Sequence, residues 1–118
     1  MFSSFCVFFG QNNMKFTIEE YLAQLPLQAD EKWPEGVWDI EPFEKKGVRL
    51  VFFAPQGTDH QTFHDEDEFY FIARGTAEII VDGDRTPCEV GDAFYVPAKA
   101  EHRFENFSGD FAAWAVFF

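Results

Sequence analysis

The fold is decided by one stretch of the sequence, Gly91-Asp92-Ala93-Phe94-Tyr95-Val96-Pro97-Ala98-Lys99-Ala100-Glu101-His102-Arg103-Phe104-Glu105-Asn106. It predicts two short strands, because Pro97 ends the first and turn residues separate it from the second. In the second strand His102, Phe104 and Asn106 share one face, whereas the residues between them are charged. We therefore expect His102 to point inward, where a buried imidazole needs a hydrogen-bond partner or a metal ion.

A second stretch, Thr62-Phe63-His64-Asp65-Glu66-Asp67-Glu68, places a histidine and a glutamate on either side of an acidic turn. We predict that His64 ends one strand and that Glu68 begins the next, so that both side chains reach the same face. Strand alternation then points Tyr70 and Ile72 inward with Glu68. An imidazole nitrogen and a carboxylate oxygen together suit Zn, Fe, Mn, Ni or Cu.

From residue 37 onward the sequence is typical of an all-β fold. Turn residues such as Asp82-Gly83 separate short apolar runs. The predicted strands are 37–43, 48–54, 60–64, 68–73, 76–82, 85–90, 93–96, 101–106 and 111–118. Many short strands at this spacing favour a sandwich or barrel over a βαβ fold.

One short helix is predicted before the strands. Thr17 and Glu20 have the spacing of a capping box, and the helix is expected to run from Ile18 to about Leu25 and to stop at Pro26. Residues 1–13 are interpreted as a disordered extension or a wrongly assigned start, since Met14 is a better beginning. Residues 14–118 are then predicted to form a single domain.

The composition excludes several classes of partner. The formal net charge is −12, which repels nucleic acid and anionic membrane surfaces. The 17 phenylalanines favour a sheet-rich fold. Cys6 and Cys88 have neither metal-binding nor redox spacing, so we interpret them as free thiols in a reducing, cytoplasmic compartment.

These two stretches resemble the two motifs of the cupin superfamily, in particular its small single-domain members. The resemblance covers residues 48–118 and rests on His64, Glu68 and Gly75 in the first motif and on Gly91, Pro97, His102 and Asn106 in the second. It implies a double-stranded β-helix, or jelly-roll barrel, with one divalent transition metal (Zn, Fe, Mn or Ni) near its centre. The family ligands that carry over to this chain are His64, Glu68 and His102.

One expected ligand is replaced, because Thr62 occupies the position of the first family histidine. His60 has the same strand parity but lies about 7 Å further along the strand, so it could ligate only through a bulge. Gln61 would face the site only if the strand is irregular there. Thr62, His60, Gln61 and Tyr70 are therefore kept as additional ligands or site-lining residues, and Ile72, Phe104 and Trp114 are predicted to line the cavity.

Two functions fit this pattern. One is a metal-dependent enzyme of the dioxygenase, lyase or isomerase type that acts on a small molecule at open metal positions. The alternative is a non-catalytic small-molecule binder or sensor with a structural or weakly bound metal. In either case we expect a homodimer, with the Phe-rich strands 48–54 and 111–118 offering apolar surface for it.

Overall fold

The computed structural model describes residues 14–118, so the prediction for residues 1–13 lies outside the described residues. Helix α1 spans Ile18–Leu22, and the Thr17 side chain accepts a hydrogen bond from the Glu20 amide, as the capping box predicts. The helix is shorter than expected. The amides of Gln24 and Leu25 bond three residues back rather than four, since a residue that precedes proline avoids the helical conformation.

Eight strands form two antiparallel sheets. They are β1 (Asp39–Lys45), β2 (Val48–Phe53), β3 (Glu68–Arg74), β4 (Thr76–Val81), β5 (Asp84–Glu89), β6 (Ala93–Val96), β7 (His102–Glu105) and β8 (Ala112–Phe117). The first sheet has the order β1-β2-β8-β3-β6 and the second the order β5-β4-β7. This arrangement is the double-stranded β-helix that the resemblance implied.

The predicted strand over 60–64 is wrong, because this segment has no strand structure. At the start of this segment the hydrogen bonds are made between near neighbours in the chain, since the Asp59 carboxylate accepts one from the Gln61 backbone amide. Two backbone bonds tie its end to the loop before β7, from Lys99 N to His64 O and from His102 N to Thr62 O. An aspartate side chain that accepts a hydrogen bond from the amide two residues later favours a turn over pairing in a β-sheet.

The five-stranded sheet separates two apolar clusters. Its inner face joins the second sheet in the main core, which includes Tyr70, Ile72, Phe104 and Phe117. Its outer face packs against α1. Trp114 belongs to this outer cluster, with its ring 5.0 Å from that of Phe52.

Exposed aromatic side chains lie beside this helix-covered region. On β3, Phe69 and Phe71 are 38% and 44% exposed, and Tyr95 of β6 is 51% exposed. In the strands predicted to offer dimer surface, Phe52 and Phe117 are fully buried, whereas Val48 and Phe118 are 41% and 50% exposed. Within residues 14–118, no helix has the length and hydropathy needed to span a membrane.

Candidate metal site

Three elements bring His64, Glu68 and His102 together inside the barrel. Glu68 and His102 begin β3 and β7, and His64 comes from the irregular segment before β3. Glu68 Oε1 lies 3.1 Å from His102 Nε2 and 3.8 Å from His64 Nε2. One ligand atom from each residue lies within 4.8 Å of the others. The three side chains are buried, at 2%, 0% and 3% exposure in chain order.

The hydrogen bonds around His102 define its tautomer. Its Nδ1 lies 2.9 Å from the carbonyl oxygen of Ala100, which can only accept, so Nδ1 carries the proton. Nε2 therefore faces Glu68, at 3.1 Å from Oε1. Within residues 14–118, neither Glu68 oxygen nor His102 Nε2 makes a hydrogen bond of normal geometry. Buried polar atoms without such bonds are costly, and a bound cation would satisfy all of them.

Burial sets the charge on two of these groups. It raises the pKa of the Glu68 carboxyl, an effect that His102 opposes. Burial, together with the nearby His102, lowers the pKa of His64 to about 3. His64 is thus neutral at physiological pH, which is the form of imidazole that binds metal.

The distances between these atoms fit a transition metal. Metal bonds to nitrogen and oxygen of about 2.1 Å place neighbouring ligand atoms about 3.0–3.4 Å apart, depending on geometry. The separation of 3.1 Å lies in this range, whereas the separation of 3.8 Å and the 4.8 Å that bounds the whole set exceed it, so the side chains would move closer together around a bound ion. Two imidazoles and one carboxylate are the ligands of a facial triad, which leaves further coordination positions open.

Gln61 and Tyr70 also lie at this site. Gln61 Oε1 is 3.1 Å from His64 Nε2 and accepts a hydrogen bond of 3.0 Å from the Tyr70 hydroxyl. Both residues are buried. Burial, with Glu68 nearby, holds the pKa of Tyr70 well above its usual range. Tyr70 therefore stays protonated and acts as a donor.

Asp59 completes this network and was missed by sequence reasoning. Its Oδ2 accepts from Gln61 Nε2 at 2.6 Å and from the Phe104 amide at 2.8 Å. Burial raises the pKa of Asp59 to about 6, although these bonds favour the charged form. The sequence feature that could have identified Asp59 is its position two residues before Gln61, a spacing that is typical of an Asx turn.

Two of the predicted additional site positions, Thr62 and His60, point away from the site, as does the motif residue Asn106. Thr62 is exposed and contributes only its carbonyl to the barrel, because the irregular segment turns Gln61 inward instead. His60 Nε2 lies 3.1 Å from the Glu35 carboxylate, so the His60 side chain is directed away from the barrel centre. Asn106 lies beyond the end of β7, where its backbone takes a φ of 51° and its side chain is exposed.

Two of the three residues predicted to line the cavity lie on the inner side of the barrel wall. Ile72 and Phe104 lie in the inner core, and the Phe104 ring is 4.8 Å from that of Tyr70. The prediction for Trp114 is wrong, since it contacts the helix on the outer face of β8. Strand alternation places the small neighbours Ala113 and Ala115 inward in its place.

The family follows from comparison with known proteins. The model of the Cupin domain family matches residues 49–118, which is more than half of the chain. The chain belongs to the cupin family. The matched region holds all three residues of the candidate site, so the family assignment and the geometry concern the same part of the molecule.

Individual relatives agree with this assignment. An uncharacterized protein of Streptomyces coelicolor is 40% identical over 93 residues, which cover 77% of this chain and 88% of that protein. The structure of a cupin 2 conserved barrel domain protein from Salinispora arenicola has a TM-score of 0.58 at 24% identity, covering 68% and 73% of the two chains. Oxalate decarboxylase of Bacillus subtilis, described with Mn(II) centres, has a TM-score of 0.53 at 19% identity, covering 60% and 21%.

Proposed function

We propose that this protein binds one divalent transition metal ion through His64, Glu68 and His102 and uses it to bind or convert a small molecule. One observation carries the proposal. The Glu68 carboxylate is fully buried, has no normal hydrogen bond within residues 14–118, and lies between two imidazoles. Such a carboxylate is costly unless a proton or a cation neutralises it, and the adjacent imidazoles supply the further ligands that a metal ion needs.

A bound metal would act as a Lewis acid or lower the pKa of a bound water. The chain's own residues hold the ligand atoms in place: Ala100 O fixes the His102 ring, and Tyr70 donates to Gln61. The surrounding Phe104 and Phe117 rings are fully buried and exclude water. Because Tyr70 remains protonated, Glu68 is a better candidate than Tyr70 for a base in any proton transfer.

The metal is proposed to be Mn, Fe, Zn or Ni, which all accept mixed nitrogen and oxygen ligands. Oxalate decarboxylase, with its Mn(II) centres, offers one precedent within the same fold. Its identity of 19% supports the fold alone, so its substrate does not transfer to this chain.

A second function is favoured by the burial of the site. His64, Glu68 and His102 are each at most 3% exposed, so a metal bound there would be closed off from bulk solvent. A structural metal in a non-catalytic small-molecule binder or sensor would have this property. Turnover instead requires that the irregular segment before β3 opens, or that the substrate is very small.

Metal titration of the purified protein tests the proposal. We expect one equivalent of Mn²⁺ or Zn²⁺ to bind to the wild type, and His102→Ala to abolish binding, because it removes one of three ligands. His60→Ala is the matched control, since His60 pairs with Glu35 away from the site. Equal binding in His102→Ala and the wild type would refute the ligand set.

The two functions are separated by kinetics on the metal-loaded protein. A metal-dependent activity that His102→Ala abolishes supports an enzyme. A metal that raises the melting temperature without turnover of any small molecule in a broad panel supports the structural role.

The predicted partners remain proposals. The acidic charge argues against nucleic-acid and membrane partners, and exposed aromatic side chains support a homodimer. A cytoplasmic location is proposed because the spacing of Cys6 and Cys88 is typical of free thiols. Phe69, Phe71 and Tyr95 are the strongest candidates for a dimer surface, and light scattering at micromolar concentration would measure the mass.

A further inference from the structure

Gln61 takes the place that strand geometry would have given to Thr62. The segment before β3 is irregular, and Gln61 is 2% exposed there while Thr62 is exposed. An amide side chain buried beside a proposed metal position is either a ligand or a support for one. Its hydrogen bonds decide between the two.

The orientation of the Gln61 amide follows from its partners. Its nitrogen lies 2.6 Å from Asp59 Oδ2, and an ionised carboxylate can only accept. The amide nitrogen must therefore face Asp59, and the oxygen must face His64. The Tyr70 hydroxyl, 3.0 Å from this oxygen, donates to it and agrees with the assignment.

The Asp59 carboxylate holds this orientation firmly. It accepts three hydrogen bonds, from the Gln61 backbone amide, the Gln61 side chain and the Phe104 amide. The last of these bonds ties the carboxylate to β7, the strand that carries His102. A carboxylate that orients a ligand in this way is common around protein metal sites.

The position of the Gln61 oxygen matches that of a metal ligand. Oε1 is 3.1 Å from His64 Nε2, the same separation as that between Glu68 Oε1 and His102 Nε2. Neighbouring ligands on a metal with bonds of about 2.1 Å lie about 3.0–3.4 Å apart. When His64 Nε2 presents its lone pair to a metal, it can no longer donate to Oε1. The two electron-rich atoms then need a cation between them.

We propose that Gln61 supplies a fourth ligand to the metal through Oε1 and that Asp59 positions it. This inference rests on the metal site proposed above. The ligand set then contains two imidazole nitrogens, one carboxylate oxygen and one amide oxygen. Oxygen ligands suit Mn²⁺ better than they suit softer ions, so Gln61 should matter more for Mn²⁺ than for Zn²⁺.

The test compares dissociation constants for Mn²⁺ and Zn²⁺ in the wild type and in Gln61→Leu. We expect Gln61→Leu to raise the dissociation constant for Mn²⁺ at least about 10-fold, and that for Zn²⁺ by less. Gln56→Leu is the matched control, because Gln56 is a surface glutamine that donates to Gly109 O. An unchanged Mn²⁺ constant in Gln61→Leu, or equal losses for both ions, would overturn the proposal.

A crystal structure of the Mn²⁺-loaded wild type keeps the test independent of how the variant folds. A distance of about 2.2 Å between the metal and Gln61 Oε1 supports the proposal, and a distance beyond about 3 Å overturns it. In the latter case the metal site stands with three protein ligands. If the wild type binds neither ion, the proposed function and this inference both fail.

Discussion

Replacing Glu68 with glutamine should change stability in opposite directions with and without metal. In the metal-free protein both Glu68 oxygens are buried without a normal hydrogen bond within residues 14–118. Oε1 also lies 3.1 Å from His102 Nε2, and the other nitrogen of that ring donates to Ala100 O. A carboxylate in this position destabilises the metal-free fold.

The size of the effect follows from these contacts. Relieving a buried, unsatisfied polar group is worth about 1–3 kcal/mol. The glutamine amide can also donate to His102 Nε2, and a new hydrogen bond contributes about 1 kcal/mol. The glutamine oxygen still lacks a donor, which reduces the gain. We therefore expect metal-free Glu68→Gln to be more stable than the wild type by about 2 kcal/mol, or about 8 °C in melting temperature.

Metal reverses this order. A ligand at about 100 times its dissociation constant stabilises the folded state by about 2.7 kcal/mol. Glu68→Gln lacks the anionic ligand, so it should gain little of this. Thermal melts in chelator and in excess Mn²⁺ measure both states, and Glu101→Gln is the control on an exposed glutamate, expected to stay within about 0.5 kcal/mol. A metal-free Glu68→Gln no more stable than the wild type would refute the reasoning.

Three further predictions concern the surroundings of the site. Burial raises the pKa of Asp59 from 3.8 to about 6. The stabilising contribution of Asp59 is thus present below about pH 4 and lost above about pH 6. In urea unfolding, the free energy of unfolding of the wild type should fall by about 3 kcal/mol relative to that of Asp59→Asn over this range. A difference that does not change with pH would contradict this. Gly75→Ala places a Cβ 2.9 Å from a backbone atom at a φ of 72° and should lower the free energy of unfolding by about 3 kcal/mol. Gly83→Ala, at a φ of 87° but with open space around it, should lower it by only about 1 kcal/mol. Arg49→Lys removes the paired hydrogen bonds of 3.0 Å and 2.7 Å to Glu66 and should cost about 1–2 kcal/mol in the same assay; an unchanged midpoint would show that this ion pair is not stabilising.

The strands and the three site residues could be predicted because their signals are local. Apart from 60–64, each predicted strand ends within two residues of an observed one. The inward placement of Glu68, Tyr70 and Ile72 follows from alternation along β3, and their burial of 0%, 0% and 4% confirms it. The acidic turn after His64 and the charged outer face of β7 predicted that His64 and His102 point inward, and the resemblance to the cupin motifs implied that they come together with Glu68.

The residue positions that could not be predicted from the sequence depend on contacts between distant segments of the chain. Asp59 turns the chain before β3 and bonds to the Phe104 amide, so the alternation that would have turned Thr62 inward does not apply. Trp114 follows the alternation of β8, but only the sheet order shows that its face meets helix α1. A run of apolar residues with both faces covered gives no sign of which face is the interior.

The most direct test of the central claim is an anomalous-scattering map of crystals grown from protein purified without metal-chelating resin. We predict a single metal peak inside the barrel, about 2.0–2.3 Å from His64 Nε2, a Glu68 carboxylate oxygen and His102 Nε2. A fully ordered barrel with no peak among these three side chains, or with the metal bound elsewhere, would contradict the account.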